Sequence, residues 1–164
     1  MLPEYLKILD ISKKKSAENK KFLKQLKKLK PAQLDQTIQA LNDQAFQEID
    51  CLQCANCCKT TGPLLLNKDI DRLAKELKIR PALFAQKFLK IDEDQDYVFQ
   101  QMPCVFLGSD HYCQVYQARP NACREYPHTQ QRDQLQKLKI TYENSLICPA
   151  VAKIVEELKH QILK

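Results

Sequence analysis

At 164 residues the chain is long enough to close one domain, or a domain with an appendage, around its own apolar core. It has eight cysteines but only two glycines, which leaves no glycine-rich phosphate loop, and no apolar run reaches the ~18 residues of a membrane span. The net charge of +6 belongs to one end: residues 1–30 hold ten lysines against three acids, leaving 16 basic and 17 acidic side chains in the rest.

The first ten residues mix acids and a lysine among apolar residues and show no small-residue cleavage site. They do not read as a signal peptide, and the expected location is the cytoplasm, where thiols stay reduced. Residues 4–30 read as weakly amphipathic helix, with Phe22, Leu26 and Leu29 at i, i+4, i+7. Lys30-Pro31 marks a break, and Pro31 opens a second helix. Its stripe, Leu34, Ile38, Leu41, Ala45 and Ile49, leads into Cys51. Residues 1–49 are therefore assigned to an N-terminal basic helical hairpin. No aromatic residues interleave with its lysines, so nucleic acid is not the expected partner. A protein partner docking on the lysine-rich arm is the alternative to a simply solvated face.

Gly62-Pro63 closes a cysteine-rich loop. Asn67 is read as the N-cap of the next helix, with Asp69 and Asp71 in its first turn and Ile70, Leu73, Ala74 and Leu77 as its stripe. Pro81 opens another helix, with Phe84, Phe88 and Leu89 inward. Asp92–Asp96 is an exposed acidic turn without the spacing of a calcium loop. Tyr97–Phe99, Val105–Leu107 and Tyr112–Tyr116 are short β-type runs, the last two joined by a turn at Gly108-Ser-Asp110. A single helical turn fits Cys123 between Pro120 and Pro127. Leu135, Leu138 and Ile140 suit either a strand or a helical turn. Cys148-Pro149 opens the last helix, with Val151, Ile154, Val155, Leu158 and Ile162 as its buried face. The predicted fold is α+β and mainly helical: helices packed around a small β-hairpin and a cysteine-rich metal-binding centre, with residues 50–164 forming the cysteine-cluster domain.

Four cysteines, Cys51, Cys54, Cys57 and Cys58, fall within eight residues, and four more follow at Cys104, Cys113, Cys123 and Cys148. Thiols at C-x2-C spacing can turn toward one ion. Adjacent Cys57 and Cys58 diverge, which points to two sites, or to one cluster with a spare thiol. Zinc and an iron–sulfur cubane each take four protein ligands, so eight thiolates can fill two sites. Cys51, Cys54 and Cys57 with a distant Cys148-Pro149 follow the ferredoxin arrangement and favour a 4Fe-4S cluster over zinc. A disulfide scaffold is the reading that a secreted chain would call for. His111 and His128 are substitute ligands if a thiolate is missing. Arg119 and Arg124 flank Cys123; they would offset thiolate charge or bind an anionic ligand, unless they simply pair with Glu125 or Asp110. Tyr112, Tyr116 and Tyr126 read as residues at the core edge.

CLQCANCC, then PCVFLGSDHYCQVYQARPNACREYP, then a late Cys-Pro, together resemble the YkgJ-type cysteine-cluster family over about residues 50–150. That family carries a CxxCxxCC zinc- or iron-chelating domain. The resemblance implies a small bacterial metal-binding protein. Flagellin lysine methylases have a similar cysteine pattern, which implies an iron–sulfur cluster serving methyl transfer; this chain is shorter. Some relatives carry glycine before the vicinal cysteines, so Asn56 is expected to take an unusual backbone conformation. Three functions remain in play. One is metal chelation, as an iron–sulfur cluster or zinc. The second is an iron–sulfur enzyme of methyl-transfer or redox type acting on a small or protein substrate. The third is a zinc-stabilised interaction module.

Overall fold

The computed structural model describes residues 1–163. In chain order the elements are α1 (Pro3–Lys14), α2 (Ser16–Gln25), a 3-10 turn (Leu26–Lys28), α3 (Pro31–Glu48), α4 (Cys51–Cys54), α5 (Asn56–Thr60), β1 (Leu64–Leu65), α6 (Asn67–Glu76), α7 (Pro81–Phe88), β2 (Leu89–Ile91), β3 (Tyr97–Phe99), a second 3-10 turn (Tyr116–Ala118), α8 (Asn121–Glu125), α9 (Gln134–Ser145) and α10 (Pro149–Ile162). The fold is mainly helical α+β, as the sequence predicts. The chain forms two compact units, one of residues 1–54 with 127–164 and one of residues 55–126.

The first unit is all helical. Its centre is α10, which packs against α1, α3 and α9. Val151, Ile154, Val155 and Leu158 are fully enclosed, as are Leu34, Ile38, Leu41 and Ala45 of α3. The 3.6-residue stripes predicted for both helices are thus the faces they bury. The lysine-rich segment belongs to the same core: Tyr5, Leu9, Phe22, Leu23 and Leu26 are all buried. It breaks at Lys15, so one predicted helix is two. Lys15 bonds Glu156 at 2.8 Å, and the buried Lys159 bonds Glu18 at 2.7 Å. The undecided segment around Leu138 is helix α9. Asp35 of α3 decides this, because its carboxylate accepts the amides of Asp133 at 3.0 Å and Gln134 at 2.9 Å. A remote side chain thereby satisfies two of the donors that open α9.

The second unit carries the sheet. Its order is β1-β3-β2, all antiparallel, with Leu64 opposite Val98 and Leu89 opposite Phe99. The acidic run Asp92–Asp96 is the β2–β3 turn, in which Asp92 accepts the amides of Asp94 and Asp96, both at 3.0 Å. Leu89 therefore lies in a strand, not in the helix the sequence suggested. Leu65, Ile70, Leu73, Phe84, Phe99 and Phe106 form the core. Phe106 meets Phe88 at 5.3 Å and Phe99 edge-on at 5.7 Å between ring centres, favourable aromatic geometries. The predicted 105–116 hairpin narrows to a single bridge between Leu107 and Cys113. The N-cap of α6 is Leu66, one residue earlier than expected; Asp69 accepts its amide at 3.0 Å.

Candidate metal centre

In the helical unit the cysteines are Cys51, Cys54 and Cys148. The backbone just before Cys51 is pinned from α1, where the Tyr5 hydroxyl accepts the Asp50 amide at 3.0 Å. Asp50 then opens α4 by accepting the Leu52 amide on its side chain at 2.8 Å. The short helix sets Cys51 and Cys54 three residues apart, on neighbouring positions of one face. Cys54 is buried, with its Sγ 4.0 Å from the Met1 Sδ, while Cys51 is exposed. An open cleft of about 580 Å³ runs beside Cys51, lined in part by Tyr5, Glu48, Asp50 and Gln53. Cys148 caps the start of α10, and its amide donates to the Asn144 carbonyl at 2.7 Å. Burial pushes its thiol up to about 12; the Val151 and Ala150 amides oppose this, and Cys51 and Cys54 add to the rise.

In the sheet-bearing unit the cysteines are Cys57, Cys58, Cys104, Cys113 and Cys123. The strained residue of the motif is Ala55, at φ 48°; Asn56 is helical. The left-handed turn therefore falls one residue before the position the sequence suggested. Cys57 and Cys58 bring their sulfurs to 3.9 Å. The hydrogen bond with Cys57 lowers the Cys58 thiol to about 7; burial opposes it and Lys59 reinforces it. The Cys58 carbonyl accepts the Cys104 amide at 2.9 Å. Cys104 and Cys113 stand on the two arms of the Gly108 turn, where the Gly108 amide donates to the Tyr112 carbonyl at 2.8 Å. A Cβ on Gly108 would lie 2.5 Å from Asp110 Oδ1 and 3.2 Å from that carbonyl oxygen, so a side chain there would force the Asp110 carboxylate to shift. Burial raises the thiols of Cys104 and Cys113, and it raises Cys123 to about 12. Cys58, Cys104 and Cys113 add to the rise at Cys123, and Arg119 opposes it.

All eight cysteines carry thiols rather than disulfides. Among the described residues, no three His, Cys, Asp or Glu side chains form a ready-made ion site. The donor set itself suits soft, thiophilic metals, since thiolates are the ligands of zinc and of iron–sulfur clusters. The Arg119 guanidinium lies over the Tyr116 ring, 3.8 Å from its centre, and donates to the Tyr116 carbonyl at 2.7 Å. Arg124 bonds the carbonyls of Gln117 at 2.6 Å and Arg119 at 3.2 Å. Its first task is thus to fold the segment before Cys123. Lys59 Nζ lies 2.9 Å from His111 Nε2. Sequence reasoning passed over Arg72 entirely. Its side chain bonds the carbonyls of Ala118 at 3.1 Å and Arg119 at 2.8 Å and the Asp69 carboxylate at 2.5 Å. The Asp-x-x-Arg spacing on a helix was the available signal.

The family model for CxxCxxCC, described as a "putative zinc- or iron-chelating domain", matches residues 50–149. The chain belongs to the CxxCxxCC family. The match takes in all eight cysteines of this CxxCxxCC protein together with Arg119 and Arg124, while the lysine-rich helices α1 and α2 lie before it. No curated protein and no solved structure matches the chain. No helix is long and apolar enough to cross a membrane among the described residues.

Proposed function

We propose that this CxxCxxCC protein chelates iron or zinc through its eight cysteines, with a 4Fe-4S cluster as the favoured form. The observation that carries the reading is the state of the thiols. They are unoxidised, most are at least partly withdrawn from solvent, and in each unit they lie near enough for their charges to act on one another. Mutual repulsion between buried thiolates is relieved by a bound cation, so such a grouping favours metal over empty thiolates. Cys51, Cys54, Cys57, Cys58, Cys104, Cys113, Cys123 and Cys148 are the ligands in this reading. Arg119 is a counter-charge, because its positive charge opposes the rise of the Cys113 and Cys123 thiols. Arg124 supports that segment through its carbonyl contacts. A bound cluster would supply one-electron chemistry, whereas zinc would supply structural cross-linking.

A cytoplasmic setting is part of the proposal, since the thiols must stay reduced to bind. The test is purification without oxygen, followed by metal analysis, sulfide assay and a visible spectrum. Iron, acid-labile sulfide and a brown colour are expected. Colourless protein holding zinc alone would overturn the cluster and leave the zinc form standing. Protein that takes up neither metal under reducing conditions would overturn chelation.

A further inference from the structure

The positive charge of this chain is gathered in one stretch, and the fold leaves it on the surface. Lys20, Lys21, Lys24, Lys27, Lys28 and Lys30 fall within eleven residues, and every one is exposed. Phe22, Leu23 and Leu26 are buried, so the lysines take the outer side of α2 and of the 3-10 turn after it. No acid lies between Glu18 and Asp35. Both of those are already engaged: Glu18 accepts a bond from Lys159, and Asp35 accepts the amides that open α9. None of the six lysines forms an ion pair among the described residues. Lysines three or four apart on a helix repel one another, and no described acid relieves this set. The chemistry of the face indicates which anion would. Residues 1–71 contain no arginine, and the two aromatic residues of the first thirty, Tyr5 and Phe22, are buried. Protein interfaces are rich in arginine and aromatic residues and poor in lysine. Nucleic-acid surfaces add arginine forks or stacking rings to their lysines. A lipid headgroup layer needs neither; clustered positive charge is enough.

We propose that the lysine face of α2 and its 3-10 turn docks on an anionic lipid bilayer, with α1 contributing Leu6 and Ile11. Leu6 is 52 % exposed and Ile11 42 %, and Lys7, Ile11 and Lys14 follow one another at one-turn spacing on α1. Aliphatic side chains among lysines suit the boundary between headgroups and acyl chains; they have no use against phosphodiesters. No described helix is long and apolar enough to cross a membrane, and the apolar side of α2 is taken up by the core. The attachment is therefore peripheral, electrostatic and weakened by salt. The face lies before the residues that match the family, so it stands independently of the chelation reading.

The experiment is co-sedimentation of the reduced full-length protein with vesicles of phosphatidylglycerol mixed with phosphatidylcholine, and with vesicles of phosphatidylcholine alone. Binding is expected to the first and not to the second, and it should fall steeply between about 0.05 M and about 0.5 M salt. Lys20 also lies over the Tyr142 ring, so the variant spares it: Lys21→Gln, Lys24→Gln and Lys28→Gln are combined. At about fivefold per lysine, the combination should lower vesicle partitioning on the order of a hundredfold. Lys68→Gln, Lys75→Gln and Lys90→Gln remove the same charge from exposed sites of the other unit and should leave binding nearly unchanged. Equal losses in the two triple variants would overturn the assignment of the face, since net charge alone would then explain binding. Leu6→Gln with Ile11→Gln should weaken partitioning severalfold; no change would remove α1 from the docking face. Should a triple variant fail to fold, the wild type still decides the matter. Failure to sediment with the anionic vesicles at low salt would sink the proposal. So would tighter binding to duplex DNA or to polyglutamate than to those vesicles, which would make the partner a nucleic acid or an acidic protein.

Discussion

Asp69 shows how much a single buried carboxylate can organise. It is 1 % exposed, and its two oxygens accept the Leu66 amide at 3.0 Å, the Asn121 amide at 3.1 Å and the Arg72 guanidinium. Arg72 carries the link on to the carbonyls of residues 118 and 119. Together they hold the segment that opens α8 and therefore Cys123. Removing the carboxylate leaves two amides and a guanidinium without their acceptor, so Asp69→Ala should cost about 3 kcal/mol in urea denaturation of the metal-free protein. Arg72→Lys keeps the charge but loses the planar fork; it should cost less, roughly 1–2 kcal/mol in the same assay. The sequence marks Asp69 only as an acid in a first turn. Leu66 and Arg72 are local partners, but Asn121 and the carbonyls that Arg72 holds lie about fifty residues away, and local spacing cannot announce those.

Among the elements, α10 is the one most legible in the sequence and the one with the clearest energetic consequences. Its stripe is buried as its periodicity requires, and Leu158→Ala should cost about 3 kcal/mol because the enclosed site cannot collapse around the loss. The polar edge of the same helix is a charge cluster. Burial alone would raise the Glu156 carboxyl, but bonds from Lys15 and Lys159 outweigh it, and the net shift is downward. Burial would favour neutral Lys159, but bonds to Glu156 and Glu18 outweigh that, and the net shift is upward. The Glu156 contribution is therefore full above the ordinary carboxylate range and fades as pH falls through its lowered folded-state value. The Lys159 contribution is full below the ordinary lysine range and fades as pH rises through its raised value. Thermal melts across pH should show a plateau between the two. Glu156→Gln should lower that plateau by roughly 2–4 °C and flatten the acid limb. The stripes of α3 and α10 could be read because periodicity is a local property. The helical state of α9 could not, because Asp35 supplies the bonds that open it from another helix.

At the scale of the whole molecule, the sequence shows which cysteines are candidate ligands but not how the fold arranges them. Spacing identifies the cysteines and the family, and it suggests a ferredoxin-like set that includes Cys57. Local spacing does not announce the backbone bond between Cys58 and Cys104 across 46 positions, nor a Gly108 turn narrower than the β-type runs implied. Metal uptake by these thiols has a measurable signature in protons. Metal binds the thiolate, so each ligand must shed any proton it holds. In the metal-free protein the Cys58 thiol titrates at about 7, while Cys104 and Cys113 are raised and Cys123 reaches about 12. At about pH 8, then, Cys58 is already mostly ionised and the other three are protonated. Zinc uptake by these thiols should therefore release protons, mostly from Cys104, Cys113 and Cys123. Calorimetry in buffers of differing ionisation enthalpy measures that release directly. The sign also fixes the pH trend: lowering the pH below about 7 returns a proton to Cys58 as well, so release should climb while zinc affinity falls. Release that does not grow as the pH falls through about 7 would show that Cys57 does not hold Cys58 in its ionised form.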